Sequence, residues 1–183
     1  MRSQPSKKSR GFTLIEMMFA IAIIAILCSI SLPALGSLIQ SGQSHSANSQ
    51  LLTALNLARS SAVSHQVEVV LCPSADQVHC DNSLWWQHGW IVFRDLDRNG
   101  TRSGDEPIIN VAQAQPGMAV ATSAGREHVT YRLDGSATGT NLTFTLCDRR
   151  GIAHASTVVV SNSGRPRQGP ATKAQAAAAC AGL

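Results

Sequence analysis

The sequence predicts an α+β protein: a long N-terminal helix, half membrane-spanning and half amphipathic, packed on an antiparallel β-rich globular domain. Three observations carry this. An almost uncharged apolar run fills residues 12–32, and leucine and alanine recur at helical spacing after it. Beyond residue 66 the pattern changes to short β-branched or alternating runs separated by turn residues. The 183 residues suit one modest domain with an appendage. The expected division is a leader over 1–11, a helix over 12–66, a β-rich domain over 67–162, and a basic, disulfide-tethered tail over 163–183.

Residues 12–32 hold one charged side chain, Glu16. As a helix that run spans about 30 Å, the thickness of a bilayer core. Arg2, Lys7, Lys8 and Arg10 precede it without an acid, so the N-terminus stays in the cytoplasm and the rest crosses. A secretory signal carries its small-residue cleavage site after the apolar segment. Here the candidate, Gly11, stands before it, and the helix survives processing. Cleavage frees the α-amine of Phe12, four residues ahead of Glu16. A carboxylate near the membrane is costly unless paired. Glu16 of one subunit can neutralise the terminal amine of its neighbour as helices pack.

The run Lys8-Ser9-Arg10-Gly11-Phe12-Thr13-Leu14-Ile15-Glu16 resembles the class III signal of type IV prepilins and pseudopilins. That resemblance implies a prepilin peptidase that cuts after the glycine and methylates the new terminus. It also implies a single-pass inner-membrane precursor with a periplasmic C-terminus, which then joins other pilins through its helix in an extracellular pilus. Pro33 stands where such pilins carry a helix-bending proline, which removes a backbone donor. Further on, Leu51, Leu55, Ala58 and Ala62 recur beside Leu52, with Arg59 and small polar residues on the other face. Gly36, Gly42 and their polar neighbours predict a local break within 36–46.

Seven strands are expected, over 67–72, 89–94, 108–113, 118–122, 128–133, 142–147 and 156–161. Turn chemistry such as Asn99-Gly100, Pro116-Gly117, Asp134-Gly135 and Arg150-Gly151 separates them. The tail after Ser163, rich in Gly, Pro, Gln and Ala, reads as loosely structured. Leu55-x-x-Ala58-Arg59-Ser60-x-Ala62, a cysteine before a strand break, Gly89-Trp90-Ile91-Val92-Phe93-x-Asp95 and an Asn-Gly loop are similar to the FimT/GspH branch of pseudopilins. FimT proteins are minor pilins, and GspH proteins are minor pseudopilins of type II secretion.

Cys28 lies in the apolar run and reads as an inert small residue. The other four cysteines fall in an oxidising periplasm and are expected to pair. Of three connectivities, Cys72–Cys80 closes a short local loop and Cys147–Cys180 staples the tail. Zinc held by Cys72, His79 and Cys80 is the alternative, although it lacks a tetrahedral set at familiar spacing. No nucleophile–base, HExxH or phosphate-loop pattern occurs, so neither an enzyme nor a cofactor is expected. Asp95-x-Asp97-x-Asn99-Gly100 followed by Glu106 has the spacing of a calcium loop, yet a strand-like segment precedes it where an EF-hand needs a helix. A polar hairpin is the simpler reading.

The formal charge of +4 belongs to the leader; after Arg10 eleven bases balance eleven acids. Seven acids against three bases occupy residues 60–125, and seven bases against three acids follow. Such a basic C-terminal third suits a polyanion. Within it Ser163-Gly164-Arg165-Pro166-Arg167 resembles the GRxR element of DNA-binding FimT proteins, which aid DNA uptake in natural transformation. The resemblance implies double-stranded DNA as a partner, with Gly164, Arg165 and Arg167 at its centre and Lys173, Arg149 and Arg150 in support. Guanidinium groups bind phosphates bidentately and give affinity without sequence information. The rival reading is a structural GspH-like pseudopilin of type II secretion that binds no nucleic acid.

A prediction follows from the leader. Intact-mass analysis of the membrane-purified protein should find a methylated chain beginning at Phe12. A chain still starting at Met1, or cut beyond Leu32, would contradict the processing scheme.

Overall fold

The computed structural model describes residues 12–183, and the side chains of all of these except 30–34. Gly11 and the leader lie outside the described residues, as do the side chains that complete the expected 12–32 span. Helix α1 (Leu14–His65) begins on a Thr13 cap, whose hydroxyl accepts the Glu16 amide at 3.4 Å. The chain divides into two compact units, 1–38 and 39–183. In the first, the large apolar side chains of the described residues are exposed, Phe12, Leu14, Phe19 and Ile26 among them. Among the described residues no helix is long and apolar enough to cross a membrane.

The second unit holds the rest of α1, eight strands and a short helix. The strands are β1 (Glu68–Pro73), β2 (Trp90–Asp95), β3 (Ile108–Ala112), β4 (Met118–Thr122), β5 (Val129–Tyr131), β6 (Leu142–Asp148), β7 (Ser156–Val160) and β8 (Pro166–Pro170). Helix α2 (Lys173–Cys180) closes the chain. They form two four-stranded antiparallel sheets, ordered β3-β2-β1-β5 and β4-β6-β7-β8.

The C-terminal half of α1 presents Ala47, Leu51, Ala54, Leu55, Ala58 and Ala62, each almost fully buried. Alanine at four of these positions lets the helix lie close to both sheets, while the leucines fill the layer between. Both sheets answer with alternating side chains: Val69 and Leu71, Trp90 and Val92, Phe144 and Leu146, Val158 and Val160. Trp86 meets Phe144 edge to face at 4.9 Å. The opposite alternation in β1 and β2, Val70, Cys72, Ile91 and Phe93, packs under the segment closed by Cys72–Cys80. Positive φ at Gln66 (54°) ends α1 and turns the chain into β1.

Two expectations need correction. The predicted break within 36–46 does not occur, because α1 runs through it. Solvent-facing Gly36 and Gly42 cost about 1 kcal/mol each. Burial of Ser44, Ala47 and Asn48, with Asn48 Nδ2 donating to Ser156 Oγ at 3.0 Å, offsets that cost. Nor is the tail loose. Residues 166–170 form β8 on the edge of the second sheet, and Thr172 and Gln175 make a reciprocal capping box that starts α2. Ala176 and Ala179 are buried, and Ala179 packs on Ala119 and Cys147 across the outer sheet face. Cys147–Cys180 fastens α2 there, as the sequence suggested.

The β8 register explains its prolines. Ser161 N donates to Arg165 O and Ala171 N to Ala155 O, so odd-numbered residues of β8 bond to β7. The even-numbered ones make no ladder bond to β7 and face the open edge, although Pro170 O accepts from Thr157 Oγ1 at 3.4 Å. Two of the three are Pro166 and Pro170, which have no N–H to offer. The prolines that suggest a loose tail are compatible with a strand in this position alone.

Removal of the second disulfide should release α2. We expect Cys147→Ser/Cys180→Ser to lower unfolding free energy by about 2–4 kcal/mol, read by denaturant titration. Non-reducing peptide mapping of the native chain should recover Cys147 linked to Cys180. A link from Cys147 to Cys72 or Cys80 would refute the arrangement.

Candidate polyanion-binding surface

The β7–β8 hairpin carries the Ser163–Gly164–Arg165–Pro166–Arg167 segment. Its turn is closed by Gly164 N donating to Ser161 O at 2.8 Å. Gly164 is buried with φ +74°, a conformation that favours glycine. A Cβ there would collide with the carbonyl of Gly135 and stand 3.1 Å from the Tyr131 ring. The same carbonyl accepts from Arg59 Nε of α1 at 3.0 Å, and Ala137 N donates to Asn162 O at 2.9 Å. The glycine is therefore a packing residue, and the hairpin is locked to α1 through the turn after β5. The sequence resemblance places Gly164 at the centre of the DNA-binding element; its contact with Gly135 depends on tertiary structure.

Arg165 and Arg167 are both exposed. Arg167 faces outward beside Val159, its partner across β7, and Val159 pairs in turn with Thr143 of β6.

The expected supporting residues do not join them. Arg149 and Arg150 follow β6 at its Asp148 end, whereas Pro166 lies in register with Val160 and Leu142 at the other end. The six-residue separation along β6 amounts to roughly 20 Å. Lys173, in the first turn of α2, follows the Pro170 end of β8 and is also remote from Arg165. Arg150 is further committed to Asp148, through Nη2 to Oδ2 at 2.7 Å and Nε to Oδ1 at 3.0 Å. Asp148 is almost fully buried. Burial opposes its ionisation, but the bonds from Arg150 prevail and hold its pKa below the usual carboxylate value.

The other candidate residues are engaged in local bonds. Cys72 and Cys80 are joined to each other, which removes the zinc alternative, and His79 Nδ1 lies 2.7 Å from Asp76 Oδ2. Carboxylate oxygens of Asp95, Asp97 and Glu106 come within 4.8 Å of one another. Each nevertheless accepts from the loop's own amides. Asp95 accepts from Asn99 and Gly100, Asp97 from Asn99, and Glu106 from Leu96 at 2.6 Å and Ser103 at 3.0 Å. Burial, with Asp97 and Glu106 alongside, pushes the Asp95 pKa up. The three carboxylates stand at the end of β2 and in its connection to β3, held by the loop's amides in an arrangement that could also take a cation.

Comparison with known proteins agrees with this architecture. The family model described as type II transport protein GspH matches residues 47–164, and that of the prokaryotic N-terminal methylation motif matches 6–32. No curated protein sequence matches the chain. Two crystal forms of the Pseudomonas aeruginosa type IV minor pilin FimU share its fold. One is 21% identical with a TM-score of 0.55 and covers 69% of this chain and 92% of that one. The other is 19% identical with a TM-score of 0.57, covering 77% and 97%. The minor pseudopilin EpsH of the Vibrio cholerae type 2 secretion system aligns at 10% identity and a TM-score of 0.48, over 70% and 97%.

Arg150→Gln would leave Asp148 buried without its cation and should lower stability at pH 7 by about 1–2 kcal/mol, part of the pair being screened by solvent. The sign with pH follows from the depressed pKa. The pair's contribution is present above the unfolded carboxylate value near 3.9 and is lost as pH falls through the lower folded value. Wild type and variant should therefore converge in stability as acid titration passes below the unfolded carboxylate value and through the lower folded one.

Proposed function

The chain belongs to the type II transport protein GspH family, and from that premise we propose a minor type IV pilin resembling FimT that binds double-stranded DNA for uptake in natural transformation. Membership of the family makes it a minor pilin or pseudopilin, carrying the methylation motif at residues 6–32. The proposal adds cleavage at Gly11–Phe12, a membrane-spanning role for 12–32 before assembly, and DNA as the partner of the assembled subunit. The carrying observation is the pair Arg165 and Arg167, exposed on a hairpin that is tied to α1 through Gly164, Gly135 and Arg59.

The proposed contact is with phosphates. Trp86, Trp90, Tyr131, Phe93 and Phe144 are buried, and Trp85 is partly buried over Gly182, so the domain presents no exposed aromatic platform for stacking bases. Binding of this kind is weak and indifferent to sequence. Several subunits on one pilus raise the avidity. A structural pseudopilin of type II secretion is the second reading, favoured by the description of the matching family.

The test uses the full chain in non-ionic detergent and fluorescent duplex DNA across a salt series. Two to four phosphate contacts predict a log–log slope of about −2 to −4. Arg165→Gln/Arg167→Gln should remove most binding and leave the thermal midpoint unchanged, while Arg98→Gln/Arg102→Gln should have much less effect. Equal binding by the first variant and wild type would defeat the site, and no binding at any salt would leave the structural reading.

A further inference from the structure

Resting on the DNA-binding reading above, we infer that Arg126 and Arg132 complete the phosphate-contacting surface, in place of Lys173, Arg149 and Arg150. The sequence scatters these residues, but three turns converge at one end of the domain. The first holds Arg126, whose amide donates to Ser123 O; Ser123 N in turn donates to Thr143 O at the start of β6. The second follows β5: Arg132 N donates to Ser136 O and Gly135 N to Arg132 O. The third is the β7–β8 hairpin turn with Arg165. Ala137 N to Asn162 O ties the third to the second, and Arg126 Nη1 donating to Gly139 O ties in the first. Gly135 against Gly164 closes the junction.

Four of the seven bases in the C-terminal third therefore share this end. The other three lie at the far end of the second sheet, with Arg150 held by Asp148. From β8 the row Arg167, Val159, Thr143 leads across the sheet to Ser123 and the turn of Arg126. Three strand spacings make that about 14 Å. Along a duplex axis the same distance covers about four phosphates of one strand at 3.4 Å each. Arg126 is half-buried and Arg132 exposed. Glu127 and Asp134 stand in the same turns, and Ser136 N, donating to Asp134 at 2.9 Å, helps keep that carboxylate ionised. The surface is thus a set of discrete guanidiniums with two acids between them, which favours modest affinity.

The experiment uses the full chain in non-ionic detergent and a duplex DNA probe without a preferred sequence. Four contacts give a log–log salt slope of about −3.6, and Arg126→Gln/Arg132→Gln should bring it to about −1.8. Arg126→Lys/Arg132→Lys should restore the slope, because charge rather than the Gly139 bond is what the phosphates sense. Arg149→Gln/Lys173→Gln should leave it unchanged. A wild-type slope in the glutamine variant, while Arg165→Gln/Arg167→Gln loses binding, would overturn this inference and spare the reading it rests on. Loss of slope in Arg149→Gln/Lys173→Gln would also overturn it. Absence of any binding by the wild type would overturn that reading, and this inference with it.

Discussion

The close approach of α1 to two sheets at once is the constraint on which the domain depends. Ala47, Ala54, Ala58 and Ala62 give the helix a face narrow enough to sit against both, and Leu51 and Leu55 fill what remains. A larger side chain at any of these alanines would push the helix from one sheet or the other, since a packed interior has no spare volume. Other features follow from that seat. Asn48 reaches Ser156, and Arg59 reaches Gly135, so each sheet is indexed to the helix by a polar contact as well as by packing. The second contact is relayed through Gly135 to Gly164, which fixes the arginine hairpin relative to the element that belongs to filament assembly.

Much of this was legible in the residues. All seven expected strands exist within a residue or two at most ends, because β-branched alternation and Gly turns are local signals. Cys72–Cys80 could be chosen by its short loop and Cys147–Cys180 as the staple of the tail. The eighth strand was not legible: proline argues against a strand until its register is known, and only the bonds from Ser161 to Arg165 and from Ala171 to Ala155 show that the even positions face an open edge. Helix α2 did leave a signal, Thr172 and Gln175 at capping-box spacing before an alanine run, which the low complexity of the tail obscured.

The basic surface was legible in part. Arg165 and Arg167 stand together in sequence and in space. Their companions cannot be found by nearness along the chain, since Arg149 is close in sequence and roughly a strand length away in space. Arg126 and Arg132 are brought in by turns meeting at one end of two sheets, a property of topology that no linear window contains. The acidic half shows the converse. Asp95, Asp97 and Glu106 are close enough to repel, and the backbone amides of their own loop relieve them.

The position of Pro166 and Pro170 bears on how the subunit waits. In the membrane-held precursor proposed above, copies would share one plane with their domains on the same side, a crowding that favours edge-to-edge strand pairing. On the β8 margin such pairing finds a single backbone donor, Gln168, between two blocked positions. A neighbour arriving there gains too few bonds to continue either sheet, and the margin that bears the arginines stays open for a ligand with no strand to add.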